Sequence, residues 1–142
     1  MDSSQALEKI PVLDLIPQRS PMVLVSRVVA CTKGQIETEF DVVADHIFVN
    51  GLLSESGMLE NIAQTAAAMM GLEARQKGKE VPLGFIGGIN KVKLYSFAGE
   101  SSTILTKVEV LQEVFNIILI RGKCFNRNEL LLECEMKIVI NP

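Results

Sequence analysis

The spacing of apolar residues changes twice along this chain, from a period of two to a helical period and back again. Residues 22–31 form a β-branched, apolar run that predicts a strand, and Gly34 follows at a predicted turn. Residues 35–43 then alternate cleanly between apolar and polar, which predicts a half-buried strand. The apolar face of that strand holds Ile36, Thr38, Phe40 and Val42, and the polar face holds Glu37, Glu39 and Asp41.

The pattern becomes helical after residue 54. Apolar residues recur there at steps of three and four, as on one face of a helix. These residues are Met58, Ile62, Ala66, Met69 and Leu72. Ser54 or Ser56 is suited to cap the start, and Gly78 permits the left-handed conformation at which many helices end. The run TAAA at 65–68 has little side-chain volume, so this helix can lie close to a sheet.

The remaining segments predict more strands and few further helices. Residues 1–9 are polar and predicted to be frayed or loosely helical, and residues 10–21 carry three prolines, which favour extended segments and turns. Residues 126–128, NRN, predict a turn that joins the last two strands as a hairpin. The four later strand candidates are 83–95, 102–111, 115–125 and 130–140, and the last of them alternates between apolar and charged residues.

This order of elements predicts an α+β fold in a single domain over residues 1–142. One helix cannot cover two faces of the sheet, so the sheet must wrap around the helix or pair with another chain. An antiparallel sheet curled around one long central helix satisfies the pattern. The edge of the sheet that remains open would then suit formation of a dimer.

Composition excludes several classes of protein. Hydrophobic residues make up 48% of the 142 residues, enough for an ordinary core, and a net charge of −3 argues against a general nucleic-acid surface. No apolar run approaches the roughly 18 residues that a membrane helix needs, and the N-terminus lacks a signal-peptide pattern, so we expect a cytoplasmic protein. The three cysteines form no C-x-x-C pair, which predicts buried free thiols rather than a zinc site.

Two residues carry candidate chemistry, namely His46, the only histidine of the chain, and Glu60, an acid within the apolar helical pattern. Ala63 and Ala67 share the helix face of Glu60, which predicts partial burial of the carboxylate. Gln64 follows one turn later on the same face and is placed to orient that carboxylate. Each residue also has a structural alternative: His46 as a histidine in a turn, Glu60 as a solvated carboxylate and Gln64 as a side chain bonded to backbone. Asn50 and the glycine after it predict a turn rather than a site.

Three motifs resemble a known family. IPQRSPMVLVSRV at 16–28 resembles the opening of the hot-dog-fold 3-hydroxyacyl-acyl carrier protein dehydratases of type II fatty acid synthesis, roughly L-P-H-R-x-P-x-L-L-V-D-R-V. Gln18 stands where that family has histidine, and Ser26 where it has aspartate. LENIAQ at 59–64 resembles the L-E-x-x-A-Q of the family's central helix. GINKVK at 88–93 resembles G-I-D-K-x-R on the strand that follows.

The resemblance implies the hot-dog fold, but the catalytic loop departs from the family pattern. The family carries G-H-F-P-G before the helix, with its histidine at the spacing that separates His46 from Glu60. Here IFV follows the histidine where F-P-G is expected. A second alignment matches residues 47–51 to the segment before the family's histidine and deletes that histidine. The chain is similar to the dehydratase-like proteins of aryl-polyene and related pigment or lipid pathways, which carry a histidine before a shortened loop.

The resemblance implies dehydration of a 3-hydroxyacyl thioester, with His46 as the base and Glu60 as the acid, from different subunits across a dimer interface. A neutral histidine is a suitable base near pH 7, and a carboxylic acid in an apolar pocket can protonate a leaving hydroxyl. Backbone N–H groups at a helix start suit the charge that develops on the thioester oxygen. The residues predicted to bind substrate in this way are Glu55, Ser56, Gly57 and Met58.

The implied partner is an acyl carrier protein. Because carrier proteins are acidic, their docking site should be basic, and the candidates are Arg19, Arg27, Lys91 and Lys93. The elimination needs neither a metal nor a redox carrier, so no cofactor is expected. A homodimer or higher oligomer is expected, and a heterodimer with a paralogue stays open.

Three other functions also stay open. A non-catalytic subunit that pairs with an active paralogue would keep the fold, and the loss of H-F-P-G favours it. A hot-dog thioesterase would activate water with a helix carboxylate and would not need His46, although the opening motif argues against it. A plain acyl-binding module predicts an exposed Glu60 far from any histidine. The sequence leaves open the acyl chain length and whether the thioester is that of a carrier protein or of coenzyme A.

Overall fold

Six strands form one antiparallel sheet in this computed structural model, which describes residues 4–141 and, for residues 4 and 5, the backbone alone. The six strands are β1 (Arg27–Thr32), β2 (Gln35–Asp41), β5 (Leu83–Leu94), β6 (Thr103–Val114), β7 (Ile117–Asn126) and β8 (Glu129–Asn141). Their spatial order is β1-β2-β6-β7-β8-β5, and every neighbouring pair is antiparallel. β1 and β5 are therefore the two edges of the sheet.

One long helix, α2 (Glu55–Gln76), packs against β2, β5, β6, β7 and β8. Ser54 caps its start, because the Ser54 hydroxyl oxygen accepts the Gly57 N–H at 3.0 Å. The helix ends as predicted, with Gly78 in the left-handed region at φ +66°. Four of the five predicted apolar helix residues are buried, and Met69 is partly buried. The predicted central helix and the sheet that wraps it are confirmed.

Two glycines allow the helix to approach its surroundings closely. A Cβ atom on Gly122, in β7, would lie 2.4 Å from Cγ2 of Ile62 on the helix. A Cβ atom on Gly71 would lie 1.9 Å from the carbonyl oxygen of Leu15. Both separations are far below van der Waals contact, so Gly122 sets how closely α2 lies on the sheet, and Gly71 sets how closely α2 lies against the N-terminal segment at Leu15.

The smaller elements differ from the prediction in places. β1 begins at Arg27 rather than residue 22, because helix side chains bind the backbone of Met22 and Leu24 in place of a neighbouring strand. Phe115 lies in the β6–β7 turn at φ +53°, not in the strand that the sequence predicts. The chain also forms α1 (Ser4–Glu8), a 3₁₀ turn at Val12–Asp14, and a small hairpin of β3 (Val49–Asn50) and β4 (Leu52–Leu53).

The alternation predicted for β2 and β8 is confirmed. The four apolar-face residues of residues 35–43 are buried, and their acidic neighbours are only partly covered. In β8, Leu132, Cys134, Met136 and Ile138 face the core. No helix among residues 4–141 is both long and apolar enough to cross a membrane.

Candidate active site

Glu60 lies at a groove of about 240 Å³ between α2 and the edge strand β5. The carboxylate residue is half-buried, and among the other lining residues Gln18 alone has a polar side chain. The groove is lined by Pro17, Gln18, Glu60, Ala63, Ala67, Met70, Gly84, Phe85, Ile86 and Ile138. An apolar groove with a few convergent polar groups is the usual form of a small-molecule site.

Gln64 holds the Glu60 carboxylate in place. The Gln64 side-chain amide nitrogen donates to Oε2 of Glu60 at 2.9 Å and to the Met22 carbonyl at 2.8 Å. The Gln64 amide oxygen accepts the Leu24 N–H at 2.7 Å. Because the Gln64 side chain is fully buried and bonded at both ends, it fixes one oxygen of the Glu60 carboxylate. The structure thus brings these two predicted site residues together, while their catalytic roles stay predictions.

Asn61, the residue after Glu60 in α2, binds the backbone of Leu24, to which Gln64 also bonds. The Asn61 amide nitrogen donates to the Leu24 carbonyl at 2.7 Å, and the Thr106 hydroxyl donates to the Asn61 amide oxygen. Asn61 and Thr106 are both fully buried between α2 and the sheet. The backbone at residues 22–24, which leads into the groove wall at Pro17, is therefore tied to the helix that carries Glu60.

His46 makes both of its ring hydrogen bonds to backbone. Nε2 lies 2.8 Å from the Val23 carbonyl oxygen, and the Phe48 N–H donates to Nδ1 at 3.1 Å. A carbonyl only accepts and an amide only donates, so these two hydrogen bonds fit the tautomer that carries its proton on Nε2. Its lone pair on Nδ1 is occupied, and the ring lies between Phe40 and Phe48.

The structure does not bring His46 to the Glu60 groove within one chain, since His46 is not among the groove's lining residues. The sequence predicts an encounter between two subunits, so the catalytic role of His46 stays a prediction. The visible role of His46 is to fasten the segment at Val23, one residue from the bonds that Gln64 and Asn61 make.

Two of the four predicted substrate-binding amides are already used inside the helix start. The Gly57 N–H donates to the Ser54 hydroxyl, and the Met58 N–H donates to the Ser54 carbonyl at 3.0 Å. Both residues are buried, and a Cβ atom on Gly57 would meet Leu53 at 2.8 Å. Glu55 and Ser56 are exposed in the first turn, where N–H groups lack intrahelical acceptors. Glu55 and Ser56 thus keep exposed positions at the helix start, and substrate binding by the four residues stays a prediction.

Arg27 is not a free docking cation. Its guanidinium donates to Oε1 of Glu39 at 2.7 Å and also to Asp41. The hydrogen bond with Asp41 raises the pKa of Arg27 and lowers the pKa of the Asp41 carboxyl below its usual value. The positive charge of Arg27 is thus balanced by Glu39 and Asp41 within the chain. Arg27 is better described as a partner in cross-strand ion pairs than as the predicted contact for a carrier protein.

The other three basic candidates differ in how far they are engaged. Lys91 lies 3.6 Å from the Glu135 carboxylate. The Arg19 guanidinium donates only to backbone carbonyls, including that of Gln18 at 2.8 Å. Arg19 and Lys93 are exposed and form no ion pair among residues 4–141. These two cations remain available to an acidic partner.

The cysteines lie outside the site. Cys124 and Cys134 are buried free thiols, and burial raises the pKa of Cys124 to about 12 and that of Cys134 to about 11. Cys31 is half-exposed and also free. The predicted buried free thiols are confirmed for Cys124 and Cys134, and a thiol that stays protonated is a poor nucleophile.

Sequence reasoning assigned no function to Gln18 or to the β5 residues Phe85 and Ile86, which line the groove. These three residues are far from Glu60 along the chain, so the sequence does not show that they line the same groove. The one available signal is that Gln18 stands at the histidine position of the family's opening motif.

The six-stranded sheet wrapped around one long central helix defines a hot-dog-fold protein, here with a helix carboxylate in an apolar groove. The chain belongs to the ApeP-like family, whose model is described as ApeP dehydratase and matches residues 10–141. The resemblance to dehydratase-like proteins related to aryl-polyene pathways is thereby confirmed.

The chain is also similar to individual proteins and solved structures. The chain is 25% identical to a 3-hydroxyacyl-[acyl-carrier-protein] dehydratase FabZ of Syntrophotalea carbinolica, over 96% of both sequences. A chain of the dehydratase heterocomplex ApeI:P from Xenorhabdus doucetiae matches with a TM-score of 0.82 at 17% identity, over 94% of this chain and 92% of that one. A hypothetical thioesterase with coenzyme A from Streptococcus pneumoniae matches with a TM-score of 0.63 at 9% identity, over 80% and 84%. The two structural matches establish the hot-dog fold alone.

Proposed function

We propose that this chain is a subunit of a 3-hydroxyacyl thioester dehydratase of lipid or polyene-type biosynthesis, with Glu60 as the acid that protonates the departing hydroxyl. The observation that carries this proposal is the half-buried Glu60 carboxylate, which Gln64 holds at 2.9 Å in an otherwise largely apolar groove. Apolar walls suit an acyl chain. A site of low polarity also favours transfer of a proton from its one carboxyl group, that of Glu60, to the leaving hydroxyl.

The reaction eliminates water across two carbons. A base takes the proton from C2, the electron pair of that bond forms the C2–C3 double bond, and the C3–O bond breaks. The hydroxyl leaves as water after it gains the proton of Glu60. The base then releases the proton from C2 to solvent, and Glu60 regains a proton from solvent. Gln64 keeps one carboxyl oxygen of Glu60 bonded, so the other oxygen delivers the proton. The exposed amides of Glu55 and Ser56 are candidates to bind the developing charge on the thioester oxygen.

The base comes from a second subunit in this proposal. The chain has one histidine, and both nitrogens of His46 bond to its own backbone. The groove lies where another chain can reach it, because Gly84, Phe85 and Ile86 belong to the edge strand β5. A heterocomplex is what the name of the ApeI:P structure describes, which supports a paralogous partner that carries the base. The alternative source is His46 of a second copy, as the sequence predicts.

The proposed substrate carrier is an acyl carrier protein. The name of the FabZ relative supports this carrier, and the unpaired cations Arg19 and Lys93 offer charge complementarity to an acidic protein. A cytoplasmic location fits such a soluble carrier and remains part of the proposal.

Thioester hydrolysis is a second candidate. It is favoured by one observation, namely that Glu60 lies in the groove without a histidine beside it in the same chain. A carboxylate alone can activate water as a general base. The two functions give different products, since hydrolysis frees a thiol and dehydration does not.

A single assay tests the proposal. A 3-hydroxyacyl-acyl carrier protein is incubated with the chain alone, with a hot-dog paralogue from the same organism alone, and with the complex of the two. The products are analysed by intact mass and by thiol release. We expect loss of one water in the mixture of both chains, and loss of that activity when Glu60→Gln is used. Thiol release would support the thioesterase candidate, and no conversion with any combination would reject both functions.

A further inference from the structure

Gln18 is the second polar side chain of the groove, and the proposed reaction has so far given it no role. Its amide oxygen is buried and has no hydrogen-bond partner among the residues that the structure describes. Gln18 lines the same groove as Glu60. A buried acceptor without a donor costs about 1–3 kcal/mol, so native structures retain few of them and each calls for an explanation.

The side chains of the groove offer no spare donor to this oxygen. The Gln64 amide nitrogen donates to Met22 and to Glu60, and the remaining lining side chains are apolar. Glu60 is a donor only when protonated, and the proposed reaction gives that proton to the leaving oxygen. A bound ligand can therefore supply a donor that the side chains of the groove do not.

We propose that Gln18 is a substrate-binding residue that recognises the 3-hydroxyl group of the acyl chain. A hydroxyl offers one donor and two acceptor sites, so it can donate to the Gln18 oxygen while its own oxygen accepts the proton of Glu60. The terminal torsion of a glutamine is soft, and its rotation turns the amide oxygen toward a donor in the groove. This inference rests on the proposed function, because it places the reacting hydroxyl between Gln18 and Glu60.

The physical advantage is selectivity for the reactant over the product. The Gln18 oxygen is out of contact with water, so a hydrogen bond from the ligand is gained without loss of one to solvent. A 2-enoyl chain or a saturated chain lacks the hydroxyl and leaves this oxygen unpaired. Sites built to bind a hydroxyl reject analogues without it for this reason.

Binding measurements on the assembled complex test the assignment, with Glu60→Ala present so that no turnover occurs and no new hydrogen-bond donor enters the groove. The probes are (3R)-hydroxybutyryl-pantetheine and butyryl-pantetheine, and the readout is the ratio of their dissociation constants. We expect the hydroxylated probe to bind about tenfold more tightly, the effect of one net hydrogen bond, and Gln18→Met to bring the ratio close to one. Gln112→Met, on the exposed part of β6, is the matched control and should leave the ratio unchanged.

Thermal unfolding separates recognition from a structural role. Gln18→Met removes an unpaired buried acceptor, so we expect an unchanged or higher Tm, with Gln18→Leu as a second variant. A lower Tm in both variants would mean that the oxygen has a protein partner in the complex, and it would overturn the inference. An unchanged binding ratio would overturn it as well. Failure of the proposed function is distinct, because a wild-type complex that releases no water can still be tested for the binding ratio.

Discussion

At the scale of single residues, the site depends on which polar atoms are already bonded. Gln64 uses its amide oxygen and nitrogen on three partners, one of which is the Glu60 carboxylate. His46 uses both ring nitrogens on backbone groups. One carboxyl oxygen of Glu60 is therefore not bonded to Gln64, while both ring nitrogens of His46 are engaged by backbone of its own chain, and the catalytic roles of both residues stay predictions.

Glu60→Gln should reduce kcat by about 10²- to 10⁴-fold, the usual contribution of a general acid, with little effect on the substrate's KM. Gln64 can still hold the substituted side chain, so the fold should be retained. The measurement is steady-state dehydration by the assembled complex with circular dichroism of each variant. Glu73→Gln, at an exposed site on the same helix, is the matched control. Equal activity in the two variants would remove Glu60 from the mechanism.

His46→Ala should lower the free energy of unfolding by about 1–3 kcal/mol, because it leaves the Val23 carbonyl and the Phe48 amide without their partner. His46→Gln keeps a donor on a side chain of similar reach and should retain more of the stability and most of the activity. Urea unfolding and the dehydration assay together decide the role of His46. A His46→Gln protein that is stable but inactive would instead support the histidine base that the sequence predicts.

At the scale of elements, the position of α2 is set by what it packs against rather than by its own pattern. The apolar spacing from Met58 to Leu72 predicts the helix and its buried face correctly. The depth of that burial depends on Gly71 and Gly122, which meet Leu15 and Ile62 respectively. The sequence marks neither glycine as a contact, because each partner is distant along the chain.

Gly122→Ala and Gly71→Ala should each destabilise the protein by about 1–3 kcal/mol or more, the cost of overpacking a filled interior. Gly71→Ala should be the more severe, since its clash is with the backbone oxygen of Leu15 rather than a side chain. Gly99→Ala is the control, since its added Cβ would meet nothing nearer than 3.7 Å. Thermal and urea unfolding of the three variants provide the comparison, and equal stability in all three would contradict this account of the packing.

At the scale of the whole molecule, β5 is a long edge strand with exposed apolar side chains. Phe85, Ile86, Ile89 and Val92 are all more than a third exposed. Such an edge invites another strand. Because β5 also forms one wall of the Glu60 groove, association along it would complete the site with residues of a second subunit.

Ile89→Lys should weaken subunit association by about 100-fold or more, because the change puts a charge where an apolar side chain would be buried. Leu111→Lys is a matched control, since Leu111 has the same 37% exposure on β6, away from this edge. Sedimentation velocity over a range of concentrations measures the effect. An Ile89→Lys protein that associates like wild type would show that another surface forms the oligomer.

The long helix, the main strands and the resemblance to the family could all be predicted from the sequence. Alternation in residues 35–43 and 130–140, helical spacing after residue 54, and the motifs around Pro17 and Glu60 are local patterns, which are legible without knowledge of distant contacts. They also placed Gln64 beside Glu60, because one helical turn separates them.

The contacts of His46 and Gln18 are visible only in the folded protein. The hydrogen bonds of His46 depend on the backbone of Val23 and Phe48, and the unpaired oxygen of Gln18 depends on its enclosure in a groove shared by α2, β5 and β8. A side chain's chemistry is set by the atoms that surround it. Those atoms come from segments far apart along the chain. The residue type alone therefore could not show whether His46 is a base or a residue that bonds the backbone, or whether Gln18 is a surface amide or a residue that binds a ligand.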